Sequence, residues 1–511
     1  MKTHCSLVGL FSFCLVLMAN AQSVPIVFDL PVGTIYGTGT IQPGDTIANN
    51  IWVQFLNTTG VMDGTYRDPL GIEHALQINT PYSLASITSP VSVGGGAPIN
   101  KAAVNISNFE SGRVYINYGT SGLSGLSGSY QPANQAPSDP NYSVRYQYFE
   151  PTIVGAQANV DLSYIDFAAI PMSTRAVNSP NATNNPQLTT ATGQALMNAT
   201  ANSGLAPNNN VVGSPLPDNS FARVNSPQLM GNLYHDWTSY LQTTLQGKTA
   251  ELKGLYVGTG TQPGITPTVQ RQSYDFIASF AANGDVTLTA QTGSGNGQLP
   301  VIPANIQGPG VGDGLPGTGQ TISILFSDLN AITGIYGNNP AYTVNDNGAI
   351  TITTGIVNDV FGRVVGDLMA GLSFGFIGST VDFNGTPIGD LPSTAWWGGT
   401  MPDGSIYVLA DTPAGQNDTF GVAQPGNPLN YHTYAASLSG LTSGYGFALQ
   451  DRLNNNLIAF NTATDPNSYL ELIINPDVIP EPGTIGLLLL GVGGLLMLCL
   501  RQGQGVVFTT P

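Results

Sequence analysis

Short runs in which apolar and polar residues alternate fill the first third of the chain, from Val24 to about Thr174. A period of two residues is typical of β-strands that bury one face. Clusters of Gly, Pro and Asn separate the runs, as turns separate strands. The runs read IVFDLP, NIWVQFLNT, HALQI, KAAVNISNF and GRVYINYG. Short strands at this regular spacing predict a β-sandwich or a β-barrel.

Two further runs lie in residues 141–175, which read NYSVRYQYFEPTIVGAQANVDLSYIDFAAIPMSTR. In the first run, residues 144–150, the strand period places Tyr146, Tyr148 and Glu150 on one face. A face that carries two aromatic rings therefore ends in a carboxylate.

The second run, residues 161–170, has the same period and ends before a proline. It predicts a strand that places Leu162, Tyr164, Asp166 and Ala168 together on one face. We expect this strand to lie beside the first one, with a glycine-containing connection between them.

Neighbouring strands would bring Glu150 and Asp166 onto one surface, flanked by Tyr148 and Tyr164. Glycoside hydrolysis needs two carboxyl groups: an acid that protonates the leaving oxygen and a carboxylate that activates water or attacks the sugar. Acidic residues at strand ends are also common as solvated or hydrogen-bonded groups. The pattern alone leaves both interpretations open.

Helical spacing of apolar residues in the middle of the chain predicts two helices. The first covers residues 226–248, with Ser226 as its N-cap. The second covers residues 356–370, on which Asp359 and Asp367 are interpreted as solvated. Because strands are predicted around them, this part of the chain is expected to mix α and β structure.

The remaining segments are assigned from composition and alternation. Residues 176–220, rich in Asn, Pro, Thr and Ser, predict an irregular connection. Strands are predicted at ELKGLYVGT, QSYDFIASF and DVTLTAQT, and again at residues 404–411 and 444–451.

Composition and charge limit the classes of ligand that this protein can bind. The chain has 511 residues, of which only 8% are charged, and its formal net charge is −17. Such a surface repels nucleic acid and is better suited to a neutral polysaccharide than to a polyanion. The length is sufficient for one large or two medium domains with real cores.

The cysteines and histidines exclude several kinds of site. Cys5, Cys14 and Cys499 lie in the two terminal apolar segments, so the body between them has no disulfide and no cysteine nucleophile. The four histidines are scattered along the chain, which disfavours a zinc site. We expect no metal and no cofactor.

Four segments resemble the glycoside hydrolase family 64 β-1,3-glucanases. They are GRVYINYG at 112–119, SDPNYSVRYQYFE at 138–150, ANVDLSYIDFAAIPMS at 158–173, and a closing segment at 427–476. The resemblance implies a mainly β fold, with a thaumatin-like sandwich or barrel domain and a mixed α/β domain that form a cleft.

The same resemblance implies the roles of the two carboxyl groups. By position in the segments, Glu150 corresponds to the general acid and Asp166 to the general base of an inverting hydrolase. Thr152, two residues after Glu150, is a candidate hydrogen-bond partner for a sugar hydroxyl, or it only fills a strand position.

Two adjacent tryptophans, Trp396 and Trp397, stand in a segment rich in Pro and Gly. Indole rings can stack on the C–H faces of pyranose rings, or they can fill the core between the domains. Both are included among the candidate substrate-binding residues, together with Tyr148, Thr152 and Tyr164.

The first 21 residues have the features of a secretory signal peptide: a lysine, an apolar run, and the small-residue sequence Ala19-Asn20-Ala21. Cleavage is predicted before Gln22.

The other end of the chain resembles the PEP-CTERM sorting signal of Gram-negative bacteria. It consists of Pro480-Glu481-Pro482, an apolar run at 484–500 and Arg501. The resemblance implies recognition by a membrane exosortase, and the run is near the lower limit for a membrane span. An ordinary C-terminal anchor predicts the same topology, with the body outside the cytoplasmic membrane.

Together these features predict an exported, endo-acting β-1,3-glucan hydrolase at the cell surface or outside the cell. The alternative is a noncatalytic thaumatin-like protein that binds glucan or belongs to an extracellular matrix. The predicted organisation is a signal peptide at 1–21, a β domain from 22–175 with 400–477, a mixed α/β domain at 176–399, a sorting segment at 478–501 and a tail at 502–511.

Overall fold

In the computed structural model of this protein, the description covers most of the chain between Ser23 and Asn475. The described residues are 23–30, 50–57, 61–91, 98–110, 112–127, 131–132, 135–183, 185–213, 221–260, 268–291, 320–346, 348–357, 359–380, 382–383, 385–396, 430–450 and 457–475.

Strands dominate the described residues, and the prediction of a mainly β fold is confirmed. In chain order the strands are β1 Val24–Asp29, β2 Ile51–Asn57, β3 Asp63–Arg67, β4 Glu73–Ala75, β5 Tyr82–Ser83, β6 Thr88–Val91, β7 Ile99–Phe109, β8 Gly112–Tyr118, β9 Tyr146–Val154, β10 Gln157–Leu162, β11 Phe167–Ala168, β12 Met172–Val177, β13 Val211–Val212, β14 Arg223–Asn225, β15 Thr249–Gly260, β16 Thr268–Phe280, β17 Val286–Ala290, β18 Thr321–Ile324, β19 Tyr342–Asp346, β20 Ala349–Thr353, β21 Asp382–Phe383, β22 Thr386–Pro387, β23 Ile458–Asn461 and β24 Tyr469–Ile474.

The largest sheet has 13 strands, taken from both ends of the described chain. Its main path runs β12-β24-β1-β7-β9-β8-β2-β5. The pair β1 and β24 is parallel, with Ile26 opposite Leu470, so the last strand lies beside the first. Strand β9 pairs with β7, β8 and β10. Three neighbours therefore fix the position of this strand, which carries Glu150.

A second sheet of six strands runs from β15 to β20 in chain order, and each strand is antiparallel to the next. The apolar side chains that alternate along residues 274–280 of β16 are buried: Tyr274, Phe276, Ala278 and Phe280. Asp275, between the first two, is buried as well. Two small sheets complete the described strands, one with order β11-β14-β13 and one formed by β21 and β22.

The α-helices are short, with one exception. They are α1 Gly193–Ala201, α2 Pro227–Met230, α3 Phe326–Leu329, α4 Val360–Phe374, α5 Ser393–Trp396 and α6 Thr433–Ser439. The 3₁₀ and π turns are Leu84–Ile87, Gly231–Leu233, Tyr240–Thr244, Ile332–Tyr336 and Ile388–Asp390. The longest helix, α4, packs against β15 and β16.

One continuous hydrophobic core joins the two large sheets. It includes Phe28 and Phe109 of the larger sheet, Phe276 of the smaller one, and Trp237 and Tyr434, which belong to neither sheet. Burying a large apolar side chain contributes about 1.5–3 kcal/mol. The three cysteines lie outside the described residues.

The predicted second helix is present but displaced. It covers Val360–Phe374 rather than residues 356–370. The side chain of Asp359 accepts the Gly362 N–H at 2.8 Å and so acts as N-cap. Asp367 is fully buried, bonded to the Tyr274 hydroxyl, with Arg363 Nε 3.3 Å away. The interpretation of Asp367 as a solvated residue is wrong, because it lies on a buried part of α4, which packs against β15 and β16.

The prediction of one helix over residues 226–248 is wrong. The segment contains α2, a 3₁₀ turn at Gly231–Leu233 and a π turn at Tyr240–Thr244. Between the turns, Tyr234 has extended backbone, and its hydroxyl donates to the Asn225 carbonyl at 2.6 Å. Such tertiary contacts outweigh the helical pattern of the segment.

Other segments also differ from the predictions. The supposed irregular connection at 176–220 contains α1. The predicted strand at 444–451 is wrong: residues 444–450 form turns, with an isolated bridge between Tyr445 and Ser163. A Cβ on Gly444 would lie 2.8 Å from the ring of Tyr164, so the glycine allows a close approach. The predicted strand at 404–411 lies outside the described residues.

No helix in the described part of the chain is long and apolar enough to cross a membrane. The predicted signal peptide at 1–21 and the sorting segment at 478–501 lie outside that part.

Candidate active site

Strand β9 places Glu150 in a row of polar residues that crosses three strands. On one side Glu150 is opposite Asp161 of β10. On the other side Phe149 is opposite Val114 of β8, and the antiparallel register therefore sets Arg113 opposite Glu150. The Glu150 side chain is 35% exposed, so it reaches solvent from this row.

Asp166 lies on a loop and not in a continuous strand. Strand β10 ends at Leu162, and β11 begins only at Phe167. The prediction of one strand over residues 161–170 is therefore wrong. Its expected result, the convergence of Asp166 with Glu150, nevertheless occurs through the contacts of Arg113 described below.

The side chain of Gln147 holds this loop in place. Its amide nitrogen donates to the Ser163 carbonyl at 2.9 Å, and its oxygen accepts the Ala169 N–H at 3.0 Å. The carbonyl of Asp166 itself accepts the Ser226 N–H at 2.9 Å. These buried hydrogen bonds fix the backbone that presents the Asp166 carboxylate.

Arg113 contacts both carboxylates. Its Nε donates to Glu150 Oε1 at 3.1 Å and its Nη1 to Asp166 Oδ2 at 3.3 Å, while Nη1 also lies 3.0 Å from Gln131 Oε1. With C–N bonds of about 1.33 Å, these contacts place the two carboxylate oxygens within about 9 Å of each other. One guanidinium group thus links two segments of the chain at a single site.

The surroundings keep Arg113 positively charged. Burial acts to lower its pKa, but Tyr148, Glu150 and Asp166 raise it further, so that the net pKa is above the ordinary value. Burial raises the pKa of Tyr115, which also contacts Arg113, to about 12. The site therefore combines one permanent cation, two carboxyl groups and neutral tyrosines.

Tyr148 does not present its ring to a substrate, and the prediction that it does is corrected. It is 1% exposed, because the hydrophobic core covers β9 at this position. Its hydroxyl donates to Asp166 Oδ2 at 2.7 Å, and the Arg113 guanidinium lies 4.2 Å from its ring centroid. Burial, followed by the nearby Asp166, raises the pKa of Tyr148 well above the ordinary value, so it remains a donor.

Tyr164 is also a core residue, and its assignment to substrate binding is wrong. Its side chain is fully buried. The hydroxyl accepts the Met172 N–H at 3.0 Å and lies 3.3 Å from Thr189 Oγ1. The break after Leu162 turns this residue inward, away from the surface predicted for it.

Trp396 fills the core, so its assignment to substrate binding is wrong as well. It is fully buried, its Nε1 donates to the Ile388 carbonyl at 3.0 Å, and its ring packs against Phe376. Of the two interpretations of the tryptophan pair, core packing holds for Trp396. Trp397 lies outside the described residues.

Thr152 lies two residues after Glu150 on the same face of β9, and it is opposite Asn159 of β10. It is half-buried. Its role in binding a sugar hydroxyl stays a prediction.

Two residues of this site had no role in the sequence analysis: Arg113 and Asp161. Arg113 stands in the segment GRVYINYG, and Asp161 begins the second run. Only the register of β8 and β10 against β9 identifies them as neighbours of Glu150. Among the described residues, no group of three or more His, Cys, Asp or Glu is arranged to hold a metal ion.

Comparison with protein families gives a match to the glycoside hydrolase family 64 model, described as beta-1,3-glucanase. The match covers residues 46–252, which include Arg113, Glu150, Asp161 and Asp166. It confirms the resemblance for the segments at 112–119, 138–150 and 158–173, and the closing segment at 427–476 lies outside the match. A comparison with curated proteins gave no match.

Two solved structures resemble the chain at low identity. One is a laminaripentaose-producing beta-1,3-glucanase in complex with laminaritetraose, with 14% identity, a TM-score of 0.44, and coverage of 89% of this chain and 99% of that chain. The other is a beta-1,3-glucanase domain of the same family from Clostridium beijerinckii, with 13% identity, a TM-score of 0.42, and coverage of 89% and 98%.

Proposed function

We propose that this chain, which matches the glycoside hydrolase family 64 model over residues 46–252, hydrolyses β-1,3-glucan with inversion at the anomeric carbon. In this proposal Glu150 is the general acid and Asp166 the general base. The reaction needs no cofactor.

The observation that carries the proposal is the convergence of Glu150 and Asp166 on Arg113. The two carboxylates come from a strand and a separate loop, and their oxygens lie within about 9 Å. That bound is compatible with the separation of about 6.5–9.5 Å in inverting enzymes and also with the shorter separation in retaining ones. The assignment of inversion therefore follows from the family resemblance.

The proposed chemistry assigns one proton transfer to each carboxyl group. Asp166 removes a proton from water, and the water oxygen bonds to the anomeric carbon on the face opposite the leaving group. The bond from that carbon to the glycosidic oxygen breaks, and the oxygen takes the proton of Glu150. The Tyr148 hydroxyl and the Arg113 guanidinium both donate to Asp166 and so stabilise its negative charge.

The experiment is reducing-end release from laminarin by the full chain and by Glu150→Gln and Asp166→Asn. Glu73→Gln is the matched control, since Glu73 is an exposed carboxylate of β4 outside the site. We expect activity in the parent and the control, and a loss of about 100-fold or more in both site variants. A folded parent that binds laminarin without cleaving it would contradict the proposal and favour the noncatalytic alternative.

We also propose that the protein is exported through the cytoplasmic membrane of a Gram-negative bacterium. The support is the signal sequence at 1–21 and the Pro480-Glu481-Pro482 segment with its apolar run, which an exosortase would recognise. Mass spectrometry of the protein from a producing cell tests this. A mature N-terminus at Gln22 is the expected result, and an intact N-terminus in the cytoplasm would contradict it.

A further inference from the structure

We infer that Arg113 is a positioning residue: its guanidinium sets the distance between Glu150 and Asp166 and holds both in the arrangement that hydrolysis needs. This inference rests on the proposed function, and it concerns a residue that acts through the two carboxyl groups it bonds.

The first line of evidence is geometric. Arg113 lies opposite Glu150 across the β8–β9 pair and, from that position, uses separate nitrogens for the two carboxylates, Nε for Glu150 and Nη1 for Asp166. The planar guanidinium fixes the angle between those two nitrogens. A lysine at this position has a single nitrogen at the end of a flexible chain and cannot fix the carboxylates relative to each other.

The second line of evidence is the way that Arg113 is itself held. Its guanidinium lies over the ring of Tyr148, and the hydroxyl of that tyrosine bonds the same Asp166 oxygen that Arg113 contacts. Arg113, Tyr148 and Asp166 therefore form a closed set of contacts. The Arg113 side chain is 28% exposed, so solvent screens these contacts only in part.

The third line of evidence is the use of its N–H groups. Arg113 donates to Glu150, Asp166 and Gln131, and it also contacts Tyr115. Groups that already bond protein oxygens are less suited to binding sugar hydroxyls. Without Arg113, the side chains of Glu150 and Asp166 would lose the one group that bonds both of them.

The test compares kcat and KM for laminarin in the full chain, Arg113→Ala and Arg113→Lys. Because small displacements of reacting groups cost about 100-fold in rate, we expect kcat to fall about 100-fold in Arg113→Ala while KM changes less than about threefold. Low millimolar guanidinium chloride should restore part of kcat in Arg113→Ala. It should not restore Arg113→Lys or Asp166→Asn.

Arg67→Ala is the matched control, because Arg67 forms an ion pair with Glu73 in which both side chains are 53% exposed. It should retain the parent kcat. If Arg113→Ala does not fold, the kcat and KM of Arg113→Lys decide the question.

Unchanged kcat in the folded Arg113 variants, or a raised KM with unchanged kcat, would overturn the inference while leaving the proposed function standing. No hydrolysis by the folded parent would overturn the proposed function and this inference with it.

Discussion

The hydroxyl group of Tyr148 lies 2.7 Å from Oδ2 of Asp166, in a contact that is shielded from solvent. Tyr148 is predicted from the sequence to contact the sugar. Its hydroxyl instead donates a hydrogen bond to Asp166, the proposed base. Hydrogen bonds to charged groups contribute about 1.5–3 kcal/mol. The proposed base therefore depends on this buried donor as well as on Arg113.

Tyr148→Phe tests that contact. The ring and its packing remain, but the donor to Asp166 is lost, and we expect kcat on laminarin to fall about 10- to 100-fold. Tyr240→Phe is the control, since Tyr240 is equally buried and its hydroxyl bonds the Ile377 carbonyl outside the site. Equal kcat in the parent and in Tyr148→Phe would mean that the hydroxyl does not support Asp166.

Trp396→Phe separates a core role from a substrate-binding role. The buried indole packs on Phe376 and donates to Ile388, so we expect the free energy of unfolding to fall by about 0.5–3 kcal/mol. KM for laminarin should remain at the parent value. A several-fold rise in KM with an unchanged unfolding midpoint in urea would contradict the core role of Trp396.

Because His432 is buried, we expect the protein to lose stability in acid. Burial lowers its pKa from 6.5 to about 3 in the folded protein. The unfolded chain therefore binds more protons than the folded chain between these values. Above about pH 6.5 the burial of His432 costs no stability. As the pH falls from 6.5 toward 3, the free energy of unfolding decreases by at most about 1.4 kcal/mol per pH unit.

His432→Asn is the variant that measures this effect. His432 Nδ1 accepts the Ala435 N–H at the start of α6, and asparagine offers an oxygen acceptor there. In urea unfolding at pH 7 and pH 5, the parent should lose more stability on acidification than the variant. An identical loss in both proteins would contradict the burial of a neutral His432.

Asp359 is the N-cap of α4, and we expect it to stabilise the protein. Its side chain accepts the Gly362 N–H at the start of α4, and Asp359→Ala should lower the free energy of unfolding by about 0.5–2 kcal/mol. Asp359→Asn keeps an acceptor and should retain most of that stability. If both variants are equally destabilised, the acceptor is not what stabilises the helix.

Much of the β framework could be predicted from local patterns. The alternation around Glu150 is a property of neighbouring residues, and β9, Tyr146–Val154, overlaps the run predicted at 144–150 but continues past its end. The break between Leu162 and Phe167 could not be predicted in this way, because buried hydrogen bonds from Gln147 hold the intervening loop. The outward position assigned to Tyr164 failed for the same reason.

Contacts between residues that are distant in sequence also explain the remaining differences. The helical spacing over residues 226–248 is real. The Tyr234 hydroxyl, however, donates to the Asn225 carbonyl and accepts from the Asn210 amide, and these bonds favour another path of the chain. Arg113 is 37 positions from Glu150, and only strand register makes them neighbours. Local periodicity carries no information about such pairs.

The most direct test of the central claim is proton NMR of laminari-oligosaccharide hydrolysis by the full chain, recorded during the first turnovers. Inversion at a β-1,3 bond, with Glu150 as acid and Asp166 as base, predicts that the new reducing end appears first as the α-anomer and then mutarotates. Initial release of the β-anomer would contradict the assignment of the two carboxyl groups.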